Sequence, residues 1–163
     1  MKISSFYFFM IIGTFVVSCG CSISHKITDQ DLIVLFRNHR SDFEKLKVMA
    51  IEDAGRIGYI NESSLRQSAL SEGRKSDYSN LLSSISPSAT LGTGAHQVTF
   101  HISQGGAVLA IGRSWTKGIA YLPGGAKGCT LVKSLDELGS QINDGVYVVP
   151  IEGDWYLIYS QLD

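Results

Sequence analysis

The chain has 163 residues, with 14 Lys or Arg and 15 Asp or Glu, which gives a formal net charge of -1 at pH 7. This balance argues against nucleic acid as a partner, because neutralising phosphates requires a clearly basic surface. The length, with 44% hydrophobic residues, suits one domain with a hydrophobic core. We therefore expect a single folded unit that does not bind nucleic acid.

The first 18 residues have the pattern of a secretory signal. Lys2 precedes an apolar run over residues 6–17, and the small residue Ser18 follows it. That run is too short to cross a hydrocarbon core, which needs about twenty residues. It also lacks the polar stripe of an amphipathic core helix. Residues 1–18 are therefore predicted to direct export and to be removed.

The end of the apolar run carries a cysteine at a characteristic place. Val16, Val17 and Ser18 precede Cys19. This stretch resembles the lipobox of bacterial lipoprotein precursors, in which an aliphatic residue, a small or aliphatic residue and then Gly, Ala or Ser precede the modified cysteine. Taking Cys21 instead would put Ser18 at the aliphatic position, where it fits poorly, so Cys19 is the predicted lipidation site.

The resemblance implies a diacylglyceryl thioether on Cys19 and a membrane anchor of two or three acyl chains. Such an anchor binds the membrane stably, whereas a single acyl chain binds it only marginally. Residues 19–27 then form a tether, and residues 28–163 form the domain. Gly20 stands where an Asp would resemble an inner-membrane retention signal. The expected location is thus the cell envelope, at the outer membrane facing the periplasm in a Gram-negative cell.

Two further cysteines remain, Cys21 and Cys129. An oxidising compartment would allow them to pair, but such a disulfide would draw residue 129 to the bilayer, so a free Cys129 is favoured. The cysteine and histidine spacings do not match a zinc site. We expect no metal and no cofactor.

Two helices are predicted in the first half of the domain. Thr28 and Asp31 form a capping-box variant that begins a helix ending near Gly55. A second, shorter helix is predicted from Ser76 to Pro87. The apolar stripe of the first helix recurs at spacings of three and four residues and consists of Leu32, Leu35, Phe36, His39, Phe43, Leu46 and Ala50.

Strands are predicted in the second half, after a polar stretch at 56–72 and a linker at 88–95. Residues 97–103 alternate strictly between apolar and polar side chains, as a half-solvated antiparallel strand does. Further strands are predicted at 107–112, at 118–124 and in an aromatic hairpin at 147–160. Residues 131–138 favour a short helix from Ser134. The predicted fold is α+β, with the N-terminal helix and the shorter second helix packed on a C-terminal antiparallel sheet of about four to six strands.

The sequence contains no recognised catalytic motif, and its GRSWTKG stretch at 112–118 lacks the glycine before the lysine that a phosphate-binding loop requires. In an extended strand, Arg113, Trp115 and Lys117 would project to one side, with Tyr121 nearby. An aromatic ring between two cations suits a sugar or an acidic partner. These four residues are the candidate partner-binding surface, and the alternative is that Trp115 packs into the core.

Three classes of function remain open. The favoured one is a non-enzymatic, membrane-tethered binding module that recognises an envelope protein or a cell-wall component. The second is a periplasmic inhibitor or immunity protein that neutralises a toxin or hydrolase. The third and least favoured is an enzyme whose site the sequence does not reveal. A mixed aromatic and charged patch would favour the first, an acidic patch the second, and a cleft with paired titratable groups the third.

Overall fold

The computed structural model describes residues 27–94, 96–105, 114–138 and 143–162. Four helices and seven strands make an α+β fold. The helices are α1 (Asp29–Asn38), α2 (Arg40–Asp53), α3 (Glu62–Gln67) and α4 (Glu72–Ile85). The strands are β1 (Tyr59–Ile60), β2 (Thr90–Thr93), β3 (Val98–Gly105), β4 (Ser114–Tyr121), β5 (Thr130–Leu131), β6 (Gly145–Glu152) and β7 (Trp155–Leu162). The signal, Cys19, Cys21 and the strand predicted at 107–112 lie outside the described residues.

The predicted start of the first helix is confirmed. The Asp31 backbone N–H donates to Thr28 Oγ1 at 3.1 Å, and the Thr28 N–H donates to Asp31 Oδ2 at 3.0 Å. This reciprocal box satisfies two backbone donors that the first turn leaves without helical partners. Two acidic residues in the first turn, Asp29 and Asp31, also suit the positive end of the helix dipole.

The prediction of one continuous helix to Gly55 is wrong. The chain leaves helical geometry at His39 (φ -112°, ψ 23°), where α1 ends and α2 begins. The break has a packing reason, because it allows both helices to bury their apolar stripe on the same sheet. The rings of Phe36 and Phe43, one on each side of it, lie 5.5 Å apart and are both fully buried.

The second predicted helix is longer than expected. α4 begins after Ser71, whose side chain accepts from the Arg74 backbone N–H, and extends over 14 residues, as many as α2. The start was not predicted from the sequence because residues 72–77 contain no large apolar side chain and so show no helical apolar pattern. Three of its apolar side chains, Tyr78, Leu82 and Ile85, are buried in the main core.

The seven strands form one sheet in the order β1-β2-β3-β4-β7-β6-β5. The number of strands, seven, is larger than the four to six that the sequence predicted. β2 lies inside the predicted linker, and the short edge strand β5 pairs parallel to β6, so the sheet is mixed and not wholly antiparallel. Residues 132–138 form a turn and not the predicted short helix.

Both faces of the sheet are covered. The main core contains the helices together with one face of the strands, including Phe100, Ile119 and Leu157. A smaller cluster on the opposite face contains Ala120, Leu122, Val148 and Ile158, with Ala126 and Cys129 packed against it. The predicted alternation of residues 97–103 is confirmed, because Val98, Phe100 and Ile102 are buried in the main core.

The predicted aromatic hairpin is confirmed as β6 and β7. Gly153, with φ of 53°, occupies the turn, where a left-handed conformation favours glycine. β5 pairs with β6 only at Tyr147 and Val148, so Pro150 lies beyond the end of that pairing.

Candidate binding groove

Three residues of the predicted partner-binding surface, Trp115, Lys117 and Tyr121, lie within the described part of the chain. Arg113 lies outside the described residues. Trp115, Lys117 and Tyr121 do share one side of β4, as the strand period predicts. That side, however, is the one that faces the main core, where Ile119 is fully buried.

Lys117 differs most from the prediction of an exposed binding residue, because its side chain is 0% exposed. Its ammonium nitrogen lies 2.8 Å from Asp29 Oδ1 and 2.6 Å from Asp136 Oδ1, and it donates to the Ile27 carbonyl at 3.0 Å. A buried ammonium requires such partners. Lys117 is therefore a structural cation and presents no charge to a sugar or an acidic partner.

The two aromatic residues of the predicted surface also have packing partners. The Trp115 ring stacks on Tyr159, with centroids 6.0 Å apart and an interplanar angle of 13°. It also covers Gly105, where an added Cβ would lie 2.7 Å from the indole. The Tyr121 ring lies 5.4 Å from that of Trp155 and is covered by Lys47, whose Nζ is 4.6 Å from its centroid. The surroundings of Trp115 therefore agree better with the alternative prediction, in which its ring packs against the protein itself and does not bind a partner.

Histidine and cysteine, which often act as base and nucleophile in enzymes, are few in the described part of the chain. No three His, Cys, Asp or Glu residues there are close enough to hold a metal ion. Burial lowers the pKa of His101, whose nearest ring neighbour is Tyr59 at 6.2 Å. Burial raises the pKa of the Cys129 thiol, which is free. His101 lies on β3 and Cys129 directly precedes β5, and three strands lie between β3 and β5 in the sheet, so the two residues do not form a nucleophile and base pair.

An open groove of about 690 Å³ runs between α2 and α4. Its apolar lining consists of Val48, Met49 and Leu81. Its polar lining consists of Glu44, Lys45, Glu52, Arg74, Asp77 and Asn80. We call this feature the helix groove. Its size and mixed lining are typical of a site that holds part of another molecule.

The floor of the helix groove is held by a buried ionic network. Asp53, a buried residue at the end of α2, accepts from Arg74 Nε at 2.7 Å and from the Tyr78 hydroxyl at 3.0 Å. Arg74 also donates to the Met49 carbonyl at 3.1 Å and to Glu52 at 2.7 Å. Burial, together with the adjacent Asp53 carboxylate, raises the pKa of Tyr78 well above its usual range. The network joins the two helices, so the floor is preformed.

At the rim, one apolar and two charged side chains are available to a partner. Val48 is 51% exposed, although it belongs to a helix whose opposite face is in the core. Lys45 on α2 and Asp77 on α4 form no ion pair with any described residue. Nearby, Glu44 is already engaged by Lys47, Arg40 and the Trp155 indole N–H. The groove therefore presents an apolar strip with one unpaired charge of each sign.

Sequence reasoning missed the helix groove. Val48 lies off the apolar stripe of its helix, which is a weak sign of a partner, because scattered apolar residues are common on surfaces. The groove itself depends on the separation of two helices that are about twenty residues apart in sequence, and no local pattern predicts that distance.

No helix among the described residues has the length and apolar character needed to span a membrane. No family model, curated protein or solved structure matches the chain. What the protein does must therefore be inferred from the predicted leader sequence and from the helix groove.

Proposed function

We propose that the protein is a lipoprotein of the bacterial cell envelope, tethered through Cys19, whose α+β domain is a non-enzymatic binding module. The helix groove is its binding site. The partner is a short protein segment that places an apolar side chain against Val48 and offers an acidic and a basic group to Lys45 and Asp77.

The observation that carries this proposal is the exposed apolar strip of the helix groove above a preformed ionic floor. A partner that covers Val48 and Leu81 gains the free energy of apolar burial, and the rigid floor reduces the ordering cost of binding. The two unpaired rim charges select a partner of complementary charge and orientation. A purely acidic patch, which would favour an inhibitor or immunity protein, is not what this groove offers.

Site-specific photocrosslinking in intact cells tests the proposal. A photoreactive residue replaces Asn80 in the groove, and a control replaces Tyr59, which is 42% exposed on edge strand β1. We expect a discrete adduct with another protein from position 80 and none from position 59. Introducing Val48→Asp or Lys45→Glu should abolish that adduct while the melting temperature stays nearly unchanged, because both side chains are exposed.

Equal adducts from positions 80 and 59 would contradict the proposal. So would an adduct from position 80 that survives both groove substitutions. Either result would mean that the helix groove is not the surface that holds the partner.

A further inference from the structure

The point at which the predicted tether joins the domain is held firmly. The Ile27 carbonyl, at the start of the described chain, accepts a hydrogen bond from Lys117 Nζ at 3.0 Å. Lys117 is itself fully buried between two carboxylates. A tether that ends at residue 27 is therefore attached to the core of the domain and not to a loose segment.

The segment that follows β5 is bonded to the same place. Asp29 Oδ2 accepts from the Leu135 backbone N–H at 2.7 Å and from Ser134 Oγ at 2.8 Å. In return, Asp136 Oδ2 accepts from the Asp29 N–H at 2.9 Å. Because these bonds connect the first turn of α1 with residues 134–136, residues 131–138 remain beside the tether junction.

This segment exposes Leu131 and carries two half-buried apolar side chains, Val132 and Leu138. Leu131 is 65% exposed, more than the other exposed large hydrophobic residues of the described chain. It lines a shallow hollow of about 620 Å³ together with Val132, Leu138 and Pro150, and with the charged residues Lys133 and Glu137. We call Leu131, Val132, Leu138 and Lys133 the junction patch.

We propose that the junction patch rests on the lipid surface to which Cys19 is anchored. The inference depends on the lipid anchor proposed above. Seven residues lie between Cys19 and Ile27, and the eight residue steps from one to the other span at most about 28 Å when fully extended. Leu131 lies within five residues of Asp136, which contacts the junction directly, so a tether of this length holds the patch near the bilayer.

The chemistry of the junction patch suits the boundary between lipid headgroups and acyl chains. Exposed apolar side chains gain by leaving water at that boundary, and a neighbouring cation is attracted to anionic headgroups. Lys133 supplies this cation beside Leu131 and Val132. A second consequence concerns orientation, because β5 and β1 are the opposite edges of the sheet. The six strand spacings between them amount to about 29 Å, so contact at β5 keeps β1 away from the lipid.

Photocrosslinking of the full-length lipidated protein in vesicles of phosphatidylethanolamine and phosphatidylglycerol tests this arrangement. A photoreactive residue replaces Leu131 in one sample and Tyr59 on β1 in the control. Flotation first shows whether the protein is bound to the vesicles. We expect lipid adducts from position 131, loss of most of that adduct in Lys133→Glu, and no lipid adduct from position 59.

The outcomes separate the two proposals. Failure of the wild-type lipidated protein to float would contradict the anchor itself. Flotation with no lipid adduct at position 131, or with equal lipid adducts at 131 and 59, would overturn the junction patch while leaving the anchor in place. An adduct at 131 with a second protein molecule in place of lipid would also overturn it.

Discussion

Lys117 Nζ lies 2.8 Å from Asp29 Oδ1, so a fully buried cation in the middle of β4 pairs with the first residue of α1. Asp136 completes the cluster at 2.6 Å. Burial by itself raises the pKa of Asp29, but the contacts with Lys117, Ser134 and Leu135 outweigh it and hold that pKa below its usual value. The cluster therefore makes stability depend on pH.

We expect Asp29→Asn to lower the free energy of unfolding by about 1 to 3 kcal/mol at pH 7. This is less than the 3 to 5 kcal/mol for breaking a fully buried pair, because Asp136 remains to face Lys117. The folded pKa of Asp29 is depressed, so its stabilisation is present above the unfolded pKa of about 3.9 and disappears as pH falls through the folded value. Urea denaturation should show the gap between wild type and variant closing below about pH 4. Asp77→Asn, which removes an unpaired carboxylate, is the control, and a gap of constant size would contradict the role of the cluster.

Gly118→Ala should destabilise the protein by about 3 kcal/mol, at the upper end of the usual cost of overpacking. A Cβ at position 118 would lie 1.8 Å from the Phe100 carbonyl oxygen on the neighbouring strand, and a backbone oxygen cannot move aside easily. Gly58→Ala is the matched control, since nothing lies within 4 Å of its Cβ position. Thermal denaturation of the two variants gives the comparison. Equal melting temperatures would show that β3 and β4 separate more readily than the structure indicates.

Phe43→Ala should cost about 3 to 5 kcal/mol, the usual range for emptying a buried aromatic site. Phe43 is 0% exposed and contacts the rings of Phe36, Phe100 and Trp155. Val48→Ala on the same helix should change stability by less than about 0.5 kcal/mol, because that side chain is half exposed. Chemical denaturation measures both. A loss below about 1 kcal/mol for Phe43→Ala would mean that α2 is not packed on the sheet.

Trp115→Ala should lower the melting temperature, because it removes the stack on Tyr159 and leaves Gly105 uncovered. A loss of about 1 to 3 kcal/mol is expected for this half-buried ring. Trp115→Phe keeps an aromatic partner for Tyr159 and should cost less. If Trp115→Ala leaves the melting temperature unchanged and weakens retention of an envelope partner, the packing role is contradicted and Trp115 belongs to a binding surface.

Cys19→Ser should release the protein from the membrane or leave its precursor unprocessed, whereas Cys21→Ser should be processed as wild type. The expectation follows from the lipobox spacing ahead of Cys19. Mass spectrometry of the mature amino terminus is the direct measurement. Wild-type protein that begins with an unmodified residue and remains soluble would contradict both the anchor and the tether.

Local patterns predicted those parts of the fold that local chemistry determines. The cap at Thr28 needs only two residues three positions apart, and the alternation in β3 and β7 follows from the strand period. The sequence around the break at His39 contains no Gly or Pro, the residues that usually indicate the end of a helix. The break arises because two short helices fit the sheet better than one long helix does, and such a preference is visible only in the packed structure.

The candidate site shows the same division. The strand period correctly placed Trp115 and Lys117 on one side of β4, but it did not reveal that this side is the one under the helices. A lysine in a strand normally indicates the solvent face. Here its partners Asp29 and Asp136 come from segments that precede and follow it, at 88 and 19 residues' distance in sequence. Ion pairs over such separations leave no trace in a local pattern.

β7 lies between β4 and β6, although it follows both of them in sequence. Until residues 155–162 are in place, strands β1 to β4 and strands β5 to β6 have no hydrogen bonds with each other among the described pairings. A chain that crosses a membrane from its amino terminus would therefore emerge as two incomplete half-sheets and close only at the end. That order of assembly suits an exported protein, because a translocation channel admits an unfolded chain more readily than a finished sheet.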